Sequence, residues 1–381
     1  MKRLSLFTLP LFILAFLCSR TGPPPAIGGE FLAVDGPCGL EFPKDHGAHS
    51  GYQTEWWYYT GNLESPDAKQ NFGFQLTFFR VAIAPPGSER DWPPNPSQWR
   101  TRHLYMGHAA LTDLKRSRFY YDERIARGAA GLAGVTAEQT GATVFLGNWS
   151  ARLGKDEHLL HAKADGFSLD LRCVPAKPPV LHGIGGYSRK GARPQSASCY
   201  YSFTRLETTG TVSVGGIPAS VTGTAWMDHE FSTAPLEKDL TGWDWFSIQL
   251  NDNTELMMFL LRQENGNLSP YSSGTFVDAD GAIRHLTKAD FQVTTLDRWR
   301  SPNTGAVYPS RRRIRVPHAS LELDLSPNLS DQELITQNTT GVVYWEGSVS
   351  VKGTVSGKTV SGKGYVEMTG YAGPFHFLKP D

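Results

Sequence analysis

Apolar and polar residues alternate with a period of two along many short segments of this chain. In the segment 72–78, the apolar residues Phe72, Phe74, Leu76 and Phe78 are separated by single residues. Successive side chains of a β-strand point to opposite faces, so this spacing predicts a strand with distinct inner and outer faces. The 39 glycines and 25 prolines exceed what long helices tolerate and favour short strands joined by tight turns. The pattern predicts an all-β fold.

The opening and closing segments of this pattern occur twice. Glu55-Trp56-Trp57-Tyr58, followed by a predicted turn at Gly61-Asn62 and a strand, is echoed by Asp244-Trp245-Phe246 and a second hairpin. Residues 223–228 are echoed by 362–367, each with a glycine, a small residue, an aromatic residue and an acid. We therefore predict two duplicated β-domains. Closed antiparallel barrels are the simplest way for many short strands to lose their edges, and a pair of β-sandwiches is the alternative.

The N-terminal segment has the pattern of a secretory signal peptide. Lys2 and Arg3 precede an apolar run from Leu4 to Leu17, which is short for a membrane span. Cys18 lies where a bacterial lipoprotein would carry its lipid, although Leu17 is not the small residue that lipoprotein processing prefers. We expect an exported, periplasmic protein, with lipid anchoring through Cys18 as the minor alternative. The predicted division of the chain is a signal peptide at 1–25, an N-terminal domain at 26–235 and a C-terminal domain at 236–381.

Charge and motifs exclude several classes of function. Lysine plus arginine and aspartate plus glutamate are equal at 37 each, so no basic field attracts nucleic acid, and nucleic acid is not an expected partner. The patterns of serine hydrolases, phosphate-binding loops and dinucleotide-binding folds are missing from the sequence. His46 with His49, and His103 with His108, lack the helical frame that makes paired histidines a specific metal signature, and we predict no metal site.

Cysteines leave the redox chemistry open. Three cysteines follow the N-terminal segment, Cys38, Cys173 and Cys199. In an oxidising compartment one pair could form a disulfide, and a bridge between Cys173 and Cys199 would stabilise the fold by roughly 3 kcal/mol. Three unpaired, buried thiols are an equally good interpretation, and the spacing does not choose the pair.

Two acids lie next to aromatic residues on the predicted closing strands. Trp226 and Asp228, and likewise Tyr365 and Glu367, are two residues apart and so project from the same face of a strand. An aromatic wall removes water from a carboxyl, raises its pKa and keeps the proton that a general acid needs. Glu230 shares the face of Asp228, whereas His229 points to the other face.

A structural role competes with catalysis for each of these acids. A buried carboxylate is often the ion-pair partner of an arginine, and Arg80, Arg205 and Arg262 are available. Glu55 beside Trp56 has the same two interpretations. The tryptophans Trp56, Trp57, Trp243 and Trp245 are interpreted as core packing unless they line a cavity.

The quoted motifs also carry a family resemblance. The chain resembles the CrtC/AttH-like family, which includes the carotenoid 1,2-hydratases, over nearly all of its length after the N-terminal segment. The segments that carry the resemblance are 46–61, 71–80, 200–202, 223–230, 242–246, 344–347 and 364–371. The resemblance implies two tandem lipocalin-like antiparallel β-barrel domains. It places Asp228 at the position of the hydratases' catalytic acid, and Trp226 where those enzymes carry tyrosine.

Two hypotheses about function follow from the resemblance together with the residues. In the first, an exported, cofactor-independent acid-base enzyme, hydratase-like or hydrolase-like, acts on an isoprenoid-like or lipidic substrate. Its proton donor is Asp228, and its predicted substrate-binding residues are Trp226, Glu55, Trp56, Trp245, Tyr365 and Glu367. In the second, a non-catalytic periplasmic carrier receives an apolar ligand from ABC transporter components. An Asp228 that faces a void favours the enzyme, whereas an Asp228 paired with an arginine in a filled core favours a carrier or a purely structural role.

Overall fold

A computed structural model describes residues 30–67, 69–234 and 236–373. The predicted signal peptide and Cys18 lie outside these residues. The first sheet is built from thirteen strands, whose bounds are β1 Thr54–Ser65, β2 Gln70–Ala82, β3 His103–Asp113, β4 Arg118–Arg127, β5 Ala133–Glu138, β6 Gly141–Leu146, β7 Trp149–Gly154, β8 His158–Lys163, β9 Phe167–Pro175, β10 Val180–Leu181, β11 Tyr187–Arg189, β12 Ala197–Val214 and β13 Ile217–Ser232.

The second sheet is built from ten strands, whose bounds are β14 Leu240–Leu250, β15 Glu255–Gln263, β16 Ser273–Val277, β17 Ile283–Thr287, β18 Gln292–Arg300, β19 Val307–Val316, β20 Leu321–Pro327, β21 Glu333–Thr336, β22 Val342–Val355 and β23 Lys358–Thr369. Short 3-10 helices lie at Lys44–His46, Ser88–Asp91, Lys288–Asp290 and Pro317–Ala319. In the described ranges, no helix has the length and apolar character needed to span a bilayer.

Both sheets are antiparallel and have the same order at their centre. In the first, a meander of β4, β3, β2 and β1 is joined through β13 to β12, and in the second a meander of β17, β16, β15 and β14 is joined through β23 to β22. The first strand of each half thus pairs with the last. The first sheet curls into a nearly closed barrel, and the second forms a half-barrel. The all-β, lipocalin-like fold predicted from the sequence is confirmed, and the domain boundary at residue 235 stays a prediction.

Alternation along the strands gives each sheet its own core. On β1, Trp57, Tyr59 and Leu63 are buried inside the first barrel, and on β14 Phe246 and Ile248 are buried inside the half-barrel. The residues between them on the same strands face the opposite sheet. The central strands β1 and β14 therefore contribute one face to a core and the other to the interface between the halves.

The predicted turn at Gly61-Asn62 is wrong, because β1 continues to Ser65. A Cβ on Gly61 would lie 2.8 Å from the carbonyl oxygen of Thr224 on the neighbouring strand and would also overlap the ring of Phe74. Glycine is needed here for close approach of strands and rings rather than for a turn.

The segment before β1 is fixed to the first barrel by a disulfide between Cys38 and Cys199. Cys173 is a free thiol buried in the core of the first barrel, where the hydroxyl of Thr208 contacts it. The bridge therefore joins a different pair from Cys173 and Cys199, because β9 holds the Cys173 side chain inside the barrel.

Candidate active site

An aromatic cluster lies between the two sheets and takes residues from both. Tyr58, Tyr200 and Trp226 come from the first sheet, and Trp245 and Tyr365 come from the second. Trp245 contacts Tyr58 edge to face, with ring centroids 5.1 Å apart, and Trp226 in the same manner at 6.2 Å. Of the predicted aromatic site residues, Trp226, Trp245 and Tyr365 lie within this cluster, and Trp56 packs against it while half-buried.

Asp228 is buried at the edge of this cluster, with 4% of its surface exposed. The indole N–H of Trp226 donates a hydrogen bond of 2.6 Å to Oδ1, and the hydroxyl of Tyr200 donates one of 2.6 Å to Oδ2. The hydroxyl of Ser202 also donates to Oδ1. In the described part of the chain, Asp228 forms no ion pair with arginine or lysine. Its donors are neutral.

Burial raises the pKa of Asp228 to about 7, although the hydrogen bonds from Ser202, Tyr200 and Trp226 oppose the shift. A solvent-exposed aspartate is ionised at neutral pH, whereas a carboxyl with a pKa of about 7 populates both protonation states there. Such a group can both release and recover a proton near pH 7.

The hydroxyl of Ser202 belongs to a chain of hydrogen bonds that reaches the second sheet. His182, which is buried, places Nε2 2.6 Å from the Ser202 hydroxyl and Nδ1 2.9 Å from the hydroxyl of Thr275 on β16. Burial holds the pKa of His182 well below its usual value, so the imidazole is neutral. With Nε2 protonated, His182 donates to Ser202, which leaves the hydroxyl proton of Ser202 directed at Asp228.

A second carboxyl, Glu346 on β22, is held from the other side of the cluster. The hydroxyl of Tyr58 donates to Oε1, and the side-chain amide of Gln75 donates a bond of 3.1 Å to Oε2. Burial and the charge of Glu367 raise the pKa of Glu346 well above its usual value. Burial therefore favours the protonated, neutral form of Glu346 over its carboxylate.

Glu367 on β23 is the third carboxyl of the cluster and is half-buried. The indole N–H of Trp243 donates a hydrogen bond of 3.2 Å to its Oε2. Burial, and to a smaller extent the charges of Asp228, Glu230 and Asp244, raise the pKa of Glu367 to about 7. The sequence-predicted pair of acids, Asp228 and Glu367, thus lies on one interface with similar protonation behaviour.

The rim of the cluster is more polar. The ammonium of Lys190 lies 3.6 Å from the ring centroid of Phe259 and 3.4 Å from Glu230 Oε1. The hydroxyl of Ser198 donates to the same Glu230 oxygen. As the period of two predicts, Glu230 shares the face of Asp228. Its charge is balanced at the rim by Lys190.

Glu55 does not belong to this site. It faces the interior of the first barrel, opposite to Trp56 and Tyr58, and is fully buried. Arg80 Nε lies 2.8 Å from Glu55 Oε2, and His229 Nε2 lies 2.9 Å from Oε1. Burial would raise the pKa of Glu55, but Arg80 and the hydrogen bonds from His229 and His49 hold it well below its usual value. The predicted substrate-binding role of Glu55 is therefore replaced by a structural ion pair inside the barrel.

The other two arginines considered as partners of Asp228 also bind different acids. Arg205 Nε lies 2.6 Å from Glu255 Oε1, and Arg262 Nε lies 3.0 Å from Asp244 Oδ1. Asp244 thus repeats the role of Glu55, because each half opens with an acid that pairs with an arginine inside its own sheet.

The one group of possible metal ligands found among the described residues is His49, Glu55 and His229. Glu55 already accepts hydrogen bonds from both imidazoles and from Arg80, and His49 Nε2 lies 3.2 Å from Asp45 Oδ1. The His49 imidazole thus lies between two carboxylates; burial lowers its pKa, but the hydrogen bonds with Asp45 and Glu55 outweigh burial and raise the pKa above its usual value. The adjacent guanidinium of Arg80 also opposes a cation at this place. His46 turns away from His49 and bonds to Tyr201.

Sequence reasoning missed Tyr200, Ser202, Tyr58 and Glu346 as site residues. Tyr200 and Ser202 lie two residues apart on β12, next to β13, but their spacing is no more informative than that of many strand residues. Tyr58 and Glu346 are 288 residues apart in the chain. Only the packing of one sheet on the other brings them together.

The fold and this site define the class of protein, a tandem lipocalin-like β-protein with a carboxyl-bearing aromatic cluster between its halves. The chain belongs to the AttH-like family, whose model matches residues 33–371. Among curated protein sequences, no relative matches the chain.

Two solved structures are similar over most of the chain. An AttH protein from Nitrosomonas europaea is 36% identical, with a TM-score of 0.78, and the match covers 89% of this chain and 100% of that one. Kievitone hydratase from Nectria haematococca is 14% identical, with a TM-score of 0.67, and the match covers 90% of this chain and 96% of that one. The second likeness shows the fold alone.

Proposed function

We propose that this protein is a hydratase-type acid-base enzyme that adds water to a branched, apolar alkene, with Asp228 as the proton donor. The observation that carries the proposal is the environment of Asp228, a carboxyl with neutral hydrogen-bond donors in an aromatic cluster between the halves. The family and the hydratase of similar fold support the same class of reaction.

The proposed reaction moves one proton and one water molecule. The O–H bond of protonated Asp228 breaks as the alkene π electrons form a C–H bond, which leaves a carbocation on the more substituted carbon. The π faces of Trp226, Trp245 and Tyr58 would stabilise this positive charge, because the face of an aromatic ring carries the negative part of its quadrupole. Water then forms a C–O bond with the cation and transfers its proton to a base or to solvent, and the Asp228 carboxylate regains a proton from solvent before the next cycle. Because the steps transfer only water and protons, no redox or group-transfer cofactor belongs to the proposal.

The hydrogen bonds to Asp228 serve the second half of this cycle. After the proton has left, the carboxylate is stabilised by the hydroxyls of Tyr200 and Ser202 and by the indole of Trp226. Such donors stabilise charge that develops in the reaction, which is where a preorganised site contributes most. Trp56 and the rim around Lys190 are the proposed entry for the apolar chain of the substrate.

The test compares wild-type protein with Asp228→Asn, which keeps the shape of the side chain and removes the acid. Squalene, a branched acyclic alkene, and an apolar cell extract are incubated with each protein, and products are measured by mass spectrometry. We expect a product heavier by one water with wild type and a loss of rate of about 10²- to 10⁴-fold in the variant.

Asp170→Asn is the matched control, because Asp170 is an exposed aspartate on β9 and far from the cluster. It should retain the activity of the wild type. If wild type and Asp228→Asn retain the same unchanged lipid and neither forms product, the enzyme proposal fails and a carrier takes its place.

Export is part of the same proposal. The N-terminal residues have the pattern of a signal peptide, and the Cys38–Cys199 disulfide is typical of an oxidising compartment. Cell fractionation of the full chain tests this, since protein confined to the cytoplasm with both thiols reduced would contradict export.

A further inference from the structure

We infer that Glu367 is a second catalytic carboxyl of this site and accepts the proton of the attacking water while Asp228 protonates the alkene. This inference rests on the proposed function and extends it from a single acid to an acid-base pair, with one carboxyl from each half of the molecule.

One path of contacts from Asp228 to Glu367 passes through Tyr58 and Glu346. Asp228 and Tyr58 are direct neighbours across β13 and β1. The hydroxyl of Tyr58 bonds to Glu346 on the other sheet, and Glu346 is the direct cross-strand neighbour of Glu367. Directly opposed residues in an antiparallel pair have Cβ atoms about 4.5–5.5 Å apart, so each step of this path is short.

A second path passes through Tyr200 and Trp245. Asp228 accepts a bond from the Tyr200 hydroxyl, and the same oxygen of Tyr200 accepts a bond of 3.0 Å from the indole of Trp245. Trp245 is the direct cross-strand neighbour of Glu367 on β14 and β23. The two paths form a ring of contacts that contains both carboxyls and the edge-to-face pair of Tyr58 and Trp245.

Exposure distinguishes the roles of the two carboxyls. Asp228 is 4% exposed and has aromatic neighbours, whereas Glu367 is half-buried at the rim. Water therefore reaches Glu367 more readily than Asp228. The dry carboxyl suits proton delivery to an alkene, and the wetter one suits activation of water.

Electrostatic coupling between the carboxyls supports the pairing. The charge of Asp228 raises the pKa of Glu367, as do the charges of Glu230 and Asp244. Two coupled carboxyls that each titrate near neutrality tend to share a proton, so that one is protonated while the other is ionised. That is the combination that a hydration needs, because one group must give a proton and the other must take one.

Asp228 and Glu367 occupy equivalent positions in the internal repeat of the sequence. Asp228 ends the motif Trp226-Met227-Asp228 on the closing strand of the first half, and Glu367 ends Tyr365-Val366-Glu367 on the closing strand of the second. Since each closing strand pairs with the opening strand of its own half, the duplicated acids reach the interface from opposite sheets.

The chemical step balances as follows. Asp228 loses its proton to the alkene carbon, and the water oxygen bonds to the cation while its O–H bond breaks toward the Glu367 carboxylate. At the end Asp228 is ionised and Glu367 is protonated. Exchange with solvent at the half-buried Glu367 and at Asp228 restores the starting state.

The experiment follows squalene in D₂O with wild type, Asp228→Asn and Glu367→Gln, and measures both the alcohol product and deuterium in the recovered alkene. We expect Glu367→Gln to form alcohol at least about 10-fold more slowly, the lower side of the range for one acid-base group. Deuterium should still enter the recovered alkene, because Asp228 protonates it and the cation returns to alkene. Asp228→Asn should give neither alcohol nor deuterium.

Each other outcome overturns the inference. If Glu367→Gln hydrates as fast as wild type, or loses deuterium entry together with hydration while its thermal melting is unchanged, Glu367 is not the base. A wild type that forms no alcohol overturns the proposed function as well. Carboxyl ¹³C NMR titration tests the pairing without substrate, since Asp228→Asn should lower the pKa of Glu367, and an unmoved titration contradicts the pair.

Discussion

Asp228 is a carboxyl whose ionisation the surrounding fold opposes. Burial raises its pKa from 3.8 to about 7. Between these values the folded state binds more protons than the unfolded state, so the free energy of unfolding falls as pH rises through the interval. We predict that Asp228→Asn loses part of this decline, because the amide does not titrate. Urea unfolding of both proteins between the two pH values measures the slopes, and identical slopes would show that Asp228 ionises normally.

The charge of Glu55, unlike that of Asp228, stabilises the folded state, because the fully buried guanidinium of Arg80 compensates it. Glu55→Gln leaves the guanidinium without its charge partner, and we predict a loss of about 3–5 kcal/mol in the free energy of unfolding. Glu157→Gln is the control, since its pair with Arg172 is partly exposed and should cost at most about 1 kcal/mol. Chemical denaturation of the three proteins makes the comparison, and an equal cost for both variants would contradict the structural role of Glu55.

At the scale of the strand, the two sheets come close together at Gly73 on β2. A Cβ at this position would lie 2.7 Å from the Cβ of Ser348 and 3.3 Å from the hydroxyl of Tyr365, both on the opposite sheet. We predict that Gly73→Ala destabilises the protein by about 1–3 kcal/mol by overpacking the interface. Thermal melting measures the effect.

Two further variants sharpen this prediction. Gly36→Ala adds the same methyl group where nothing lies within 4 Å, and should be close to neutral. Ser348→Gly in the Gly73→Ala background should restore part of the stability. A Gly73→Ala variant with the thermal stability of wild type would mean that the two sheets lie farther apart than in this structure.

The strand is also the scale at which the sequence was most informative. The period of two correctly grouped Trp226, Asp228 and Glu230 on one face and His229 on the other, because alternation depends only on the local chain. The same rule could have separated Glu55 from Trp56, which are adjacent and so face opposite ways. Tyr200 and Glu346 were beyond reach, since their place in the site depends on the register of neighbouring strands and on sheet packing, which no local pattern encodes.

At the scale of the whole molecule, the Cys38–Cys199 bridge joins residues 161 positions apart and fixes the segment before β1 to the first barrel. Such a cross-link restricts the unfolded chain, and we predict that its removal in Cys38→Ser/Cys199→Ser costs roughly 2–5 kcal/mol. Dithiothreitol should lower the stability of wild type to that of the double variant and leave the variant unchanged. A wild type that stays equally stable after confirmed reduction would contradict the prediction.

The pairing of first and last strands has a mechanical consequence for each half. Thr54, at the start of β1, lies opposite Ser232, at the end of β13. The chain therefore enters and leaves the first sheet at neighbouring positions. A force that pulls these ends apart acts across the strands and loads the hydrogen bonds of the ladder one pair after another. The hydrogen bonds between β1 and β13 should therefore break one pair after another at low force. Their loss would separate Tyr58 from Asp228 in the candidate active site.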